Sequence, residues 1–231
     1  MKLGMAEPEI KRLYEAGYIY EYKIKVRELV SGLRRNLTII FLFLQGIPGT
    51  LPWGTIVYWS VTYMNVRWGL PESASTIVVM SAGLGTLTGM LIGGLLSDAL
   101  KNRGVFNSRI YVSITGIVSG MILMLALISY SYPYGDISLG ALLPLMVFAF
   151  ITFTPTAWAG LNSSIAPLFG GFIIVAYKSI EVGGVSSYYY ALVTATLAWI
   201  ITVLLWLPLI KTYKVDYAKL VKTLEERTFK F

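Results

Sequence analysis

The densest run of unusual residues in this chain is Gln45-Gly46-Ile47-Pro48-Gly49-Thr50-Leu51-Pro52-Trp53-Gly54, set inside a long stretch without charge. Pro48 and Pro52 each remove a backbone donor and leave a carbonyl one turn earlier without its ladder partner, so a helix kink is expected there. The glycines let another backbone or a ligand come close. In hydrocarbon such a segment is tolerated where protein or a water-filled cavity surrounds it. It is therefore expected to face an interior, as a packed structural kink, a cavity wall, or both. The polar and aromatic side chains that could line that interior are Gln45, Trp53, Tyr58, Trp59, Thr152, Thr154, Trp158 and Asn162. For those near the ends of apolar stretches the competing role is anchoring at the membrane interface, where Trp and Tyr concentrate.

A second pattern is Gly85, Gly89 and Gly93, spaced by four and so sharing one helix face on which a neighbouring helix can approach closely. It runs into Gly93-Gly94-Leu95-Leu96-Ser97-Asp98, followed by Lys101, Arg103, Gly104 and Arg109. A carboxylate at a helix end beside a basic loop can hold a hinge at the membrane surface by ion pairing, or by facing the positive end of another helix; the alternative is an ordinary solvated loop.

What is missing narrows the chemistry further. The chain has no Cys and no His, so disulfides, thiolate or imidazole metal sites and histidine acid/base catalysis are excluded, and neither a metal nor a cofactor is expected. No Asp, Glu, Lys or Arg lies mid-way along an apolar stretch, which argues against a proton-relay residue on this chain and against an intramembrane hydrolase. The expected class is not an enzyme.

These residues need elements to hold them. The chain has 231 residues, 56% hydrophobic and 13% charged, half the charge of a water-soluble protein, which carries about 25%. Apolar stretches of about twenty residues recur, each long enough to cross about 30 Å of hydrocarbon. They run approximately over residues 37–64, 73–97, 110–132, 137–160, 162–177 and 182–210. The fourth and fifth are nearly fused, since no charge falls between Asp136 and Lys178. Loop charge decides how to divide them. With six crossings, seventeen of the nineteen Lys and Arg residues fall on one side, which the positive-inside bias makes the cytoplasm. The 137–177 block is then a hairpin turning near Gly160 to Pro167, as two full crossings or as a re-entrant pair. Both termini are expected in the cytoplasm, in the cell membrane. The net charge of +7 reflects this bias and contact with anionic lipid, and no nucleic-acid partner is expected.

Residues 1–36 are polar and tyrosine-rich, with Ile10, Leu13, Tyr14 and Tyr18 on one helical face, fitting either a surface amphipathic segment or a solvated linker. Residues 211–231 form a basic tail. No secretory signal is read at the start, and no internal repeat stands out.

The stretch from Glu7 to Leu100 resembles the second half of major facilitator superfamily transporters, in particular the spinster-like branch. Glu7-Pro8 with the basic, tyrosine-bearing run to Arg35 is similar to the cytoplasmic linker before the seventh helix. The Gln45 to Gly54 run is similar to the start of that helix. Gly94 with Asp98, Lys101, Arg103 and Gly104 is similar to the glycine, aspartate and basic loop after the eighth, and Ala166 to Phe172 is similar to the middle of the eleventh. Ala99 stands where the family has Arg or Lys, and only Asn162, Ser163 and Ser164 stand for its loop between the tenth and eleventh helices. The resemblance implies an all-α six-helix bundle equivalent to helices seven to twelve, built from two inverted three-helix repeats. It also implies a solute path between this bundle and a second one, and a conformational lock at the Asp98 loop. The partner half is then expected on another polypeptide, either a second copy or a separately encoded half, for a small or lipid-like solute. The other reading is a membrane module or assembly subunit that does not transport.

Overall fold

The computed structural model describes residues 36–159, 175–177 and 187–228. It comprises α1 (Leu37–Trp68), α2 (Glu72–Asn102), α3 (Ser108–Ile128), α4 (Leu139–Thr156), a 3₁₀ turn at Ala157–Ala159, α5 (Ser187–Trp206) and α6 (Leu209–Thr228), with no strand among the described residues. Helices α1 to α5 are long and apolar enough to cross a membrane, so the chain is an all-α integral membrane protein. The chain divides into two compact units, Leu42–Leu207 and the terminal segments Met1–Phe41 with Pro208–Phe231.

The first four expected stretches and the sixth lie over α1 to α4 and α5, with shifted ends. Helix α2 runs past the expected limit of 97 to Asn102, placing Asp98 and Lys101 inside it. Polarity marks where hydrocarbon ends, whereas a helix continues until its geometry is broken, here at Arg103 and Gly104. Gly104 has φ +85°, the left-handed region that suits glycine. The expected stretch at 110–132 ends as a helix at Ile128, and the last one, expected to reach 210, ends at Trp206 before a break at Leu207 and Pro208. Of the 162–177 segment only residues 175–177 are described, and these are helical; the turn near Gly160 to Pro167 and Asn162 lie outside the described residues.

Within the larger unit the bundle is assembled on glycine. Helix α2 buries Ala74, Ser75, Val78, Ser81, Ala82, Gly85, Gly89, Gly93 and Ser97 on one face. Gly85 lies against the Phe150 backbone, Gly89 against the Thr154 carbonyl, and Gly93 against Trp158. Ser81 bridges the same pair, its hydroxyl 3.0 Å from the Met146 carbonyl. Helix α3 meets the other side of α4, with Gly116 against the Pro155 carbonyl and Trp158 and Gly120 against Thr156. The end of α4 is thus clamped between two glycine-lined helices, where small residues let backbones close in and dispersion replaces the hydrophobic effect as the cohesive force. On the opposite face of α2, Ile77, Met80, Leu84, Leu87, Leu91 and Leu95 are exposed, an apolar stripe suited to lipid tails.

One end of this unit is closed by aromatics. Trp68 packs edge-on to Tyr63 and Tyr130 and tilted on Tyr132, at centroid distances of 5.4, 6.5 and 5.5 Å. The loop before α4 reaches this corner, the Gly135 amide donating to the Trp68 carbonyl at 2.7 Å. Gly69, at φ +64°, turns the chain between α1 and α2 under the Tyr134 ring.

In the terminal unit, the first turn of α1 is capped twice. The Ile39 amide donates to Asn36 Oδ1 at 3.0 Å, and the Thr38 amide and hydroxyl donate to Asp216 Oδ2 of α6 at 3.0 and 2.9 Å. A carboxylate at a helix N-terminus satisfies orphan donors and complements the macrodipole.

Candidate functional site

Inside the larger unit lies a cavity of about 140 Å³, walled by α1, α2, α3, α4 and Leu192 of α5. Ile56, Met64, Val78, Met124, Ala149 and Phe153 form its apolar lining. The hydroxyls on its walls are already engaged: Ser60 donates to the Val57 carbonyl at 3.2 Å, Thr86 to Ala82 at 3.1 Å, and Tyr63 to Ile128 at 2.5 Å. The space is partly open, with exposed Val57 in its wall, and its apolar lining suits a hydrocarbon guest. Among the described residues that line it there is no carboxylate, amine or guanidinium.

Of the eight residues singled out from sequence for a solute cavity, the seven that are described, Gln45, Trp53, Tyr58, Trp59, Thr152, Thr154 and Trp158, do not line this space. Gln45 is buried, with Oε1 accepting from Trp206 Nε1 at 3.0 Å and Nε2 donating to the Leu42 carbonyl at 3.0 Å. Its amide therefore holds α5 to α1. Trp53 packs edge-on to Phe153 at 5.7 Å, and its Nε1 is buried without a partner among the described residues. Tyr58 is exposed, contacts Trp59 at 5.1 Å, and Trp59 in turn meets Tyr188 at 5.8 Å. Thr154 turns its hydroxyl back to the Phe150 carbonyl at 2.9 Å, the usual way a hydroxyl is satisfied in an apolar helix. Trp158 lies in the glycine clamp, between Gly93 and Gly116.

Helix α1 is continuous through Pro48 and Pro52, both buried. Beside them Trp199 Nε1 donates to the Gly49 carbonyl at 3.0 Å. Two tryptophans of α5, Trp199 and Trp206, therefore bond the proline- and glycine-bearing stretch of α1. They are seven residues apart, two helical turns on one face, and that spacing is the sequence signal for this contact. Gly116 and Gly120 carry the same four-residue spacing as the α2 glycines, and that spacing marks them too.

At the other end of α2, Asp98 pairs with Arg109 of α3 at 3.7 Å across the Arg103–Asn107 connection. Both side chains are mostly exposed, so the pair contributes at most about 1 kcal/mol to stability. Gly94 faces open space, with no atom near the position of an added Cβ. The Asp98 loop has the geometry of a light clasp at the end of the bundle.

No family model, curated protein or solved structure matches this chain.

Proposed function

We propose that the chain is the C-terminal six-helix half of a secondary-active transporter of the major facilitator type, spinster-like branch, which moves a small or lipid-like solute together with a second six-helix half. The observation that carries this reading is the proline- and glycine-bearing stretch of α1, held to α5 by the Trp206–Gln45 and Trp199–Gly49 hydrogen bonds in the bundle that also forms the apolar pocket. A membrane helix with two internal prolines is kept where neighbouring helices re-satisfy its backbone, and such helices recur in transporters. The weak Asp98–Arg109 clasp supports the same reading, since a contact that is made and broken in each transport cycle has to be cheap. On this reading both termini stay in the cytoplasm, the apolar stretch 162–177 is the remaining crossing, and the chain belongs to the cell membrane.

The test is to purify the chain from its native membrane in a mild detergent, identify what co-purifies in fixed stoichiometry, and reconstitute that assembly with a fluorescent lysophospholipid as probe solute. A complex with a second six-helix protein or a second copy, and probe flux above empty vesicles, are expected. A strictly monomeric chain, or a complex without flux of any solute in a broad panel, contradicts the proposal and favours a non-transporting membrane module.

A further inference from the structure

We propose that α6 is a docking surface for the headgroups of anionic phospholipids, holding the segment after the last crossing flat on the bilayer. The inference is independent of transport. At 100° per residue, Lys211, Lys214, Val215, Ala218 and Lys222 fall on one face of α6, with Lys219 on its border, and all six are exposed. From Leu209 to Lys222 this face carries no acidic residue, and the sequence of the last turn adds Glu225 and Glu226, so the lysine cluster belongs to the part of the helix nearest α5. The one carboxylate in that stretch, Asp216, is turned to the other side, where it is buried and accepts from Thr38. Tyr213 and Tyr217 are half-buried on the same side as Asp216. The Asp216 cap therefore fixes the rotation of α6 about its own axis and leaves the lysine face outward.

The position in the chain supplies the partner. Only Leu207 and Pro208 separate α6 from α5, a helix apolar enough to cross the membrane, so α6 starts at the depth where hydrocarbon gives way to headgroups. A helix at that depth with lysines on its outward face suits the headgroup layer: the long lysine stems reach to phosphates, while the opposite side, with Asp216, stays on the protein. Each basic side chain near an anionic surface strengthens attachment by about fivefold, and the effect fades within a Debye length.

The chain lacks cysteine, so Val215→Cys places a single thiol within the lysine face. The full chain carrying this change is inserted into nanodiscs of phosphatidylcholine alone, or of phosphatidylcholine mixed with phosphatidylglycerol, and the rate of maleimide labelling is measured at low and high salt. Labelling is expected to slow several-fold in the anionic discs at low salt and to recover at high salt. In the same background Lys211→Gln, Lys214→Gln and Lys222→Gln together are expected to abolish the slowing, while three Lys→Arg changes preserve it and show that the helix remains in place. Equal labelling in both lipids overturns the proposal, as does slowing that persists in the glutamine variant.

Discussion

Asp216 is a buried carboxylate whose proton affinity is set by its hydrogen-bond donors. Burial alone pushes its carboxyl up, but the Thr38 amide and hydroxyl and the Lys219 ammonium donate to it and together hold it below its ordinary value of 3.8. With the folded-state value lowered, the unfolded chain binds the proton more readily. The cap therefore contributes its full stability above the unfolded value and loses it as pH falls through the folded one. Asp216→Asn is expected to cost about 0.5–2 kcal/mol at neutral pH, measured as a drop in thermal midpoint in detergent. The acid-induced part of the wild-type loss should be smaller in that variant. Neither this cap nor the Gln45–Trp206 bond is legible in the sequence, because the partners lie 178 and 161 residues apart and nothing local marks them as mutual. Gln45 itself is legible as a buried polar group in an apolar stretch. Its fate as a structural tie depends on which tryptophan the fold brings to it.

At the scale of elements, the glycine faces of α2 and α3 determine how the bundle closes. A Cβ at Gly89 would overlap the Thr154 carbonyl, which belongs to backbone and cannot rotate away. Gly89→Ala is expected to push α2 from α4 at a cost of about 1–3 kcal/mol, read as a lower unfolding temperature in lipid or detergent. Gly94→Ala, where an added Cβ meets nothing within 4 Å, is the matched control and should change stability little. The clasp between α2 and α3 behaves differently: Asp98→Asn is expected to alter stability by less than about 1 kcal/mol yet reduce transport by the assembled protein, as measured by probe flux. The α2 face could be read directly from the spacing of Gly85, Gly89 and Gly93. The end of α2 could not, because charge marks the limit of the hydrocarbon and not of the helix. A helix longer than the hydrocarbon, 31 residues here or about 46 Å, carries its polar last turn into the headgroup layer. The helix at 209–228 was hidden for a related reason: its lysines describe a tail by composition, and only their 3.6-residue period reveals a face.

For the whole molecule, the bilayer is the solvent that makes this surface reasonable. The apolar stripe on α2 would drive a water-soluble protein to aggregate, and in lipid it is the ordinary outer face of a bundle. The same solvent accounts for the side-chain hydroxyls of α4 and α5: Thr152, Thr196 and Thr202 are fully buried and donate to carbonyls four residues earlier in their own helices. The proposal of a transporter half depends on an even number of crossings, five of them α1 to α5 and one in the stretch between α4 and α5. Single cysteines at Asn102, Ile137 and Val215, introduced one at a time into this cysteine-free chain and probed with a membrane-impermeant maleimide in intact cells and in lysed ones, measure this directly. Ile137→Cys is expected to label in intact cells, with Asn102→Cys and Val215→Cys labelling only after lysis. Labelling of Val215→Cys from outside, with Asn102→Cys still protected, would leave an odd number of crossings and contradict the six-helix half.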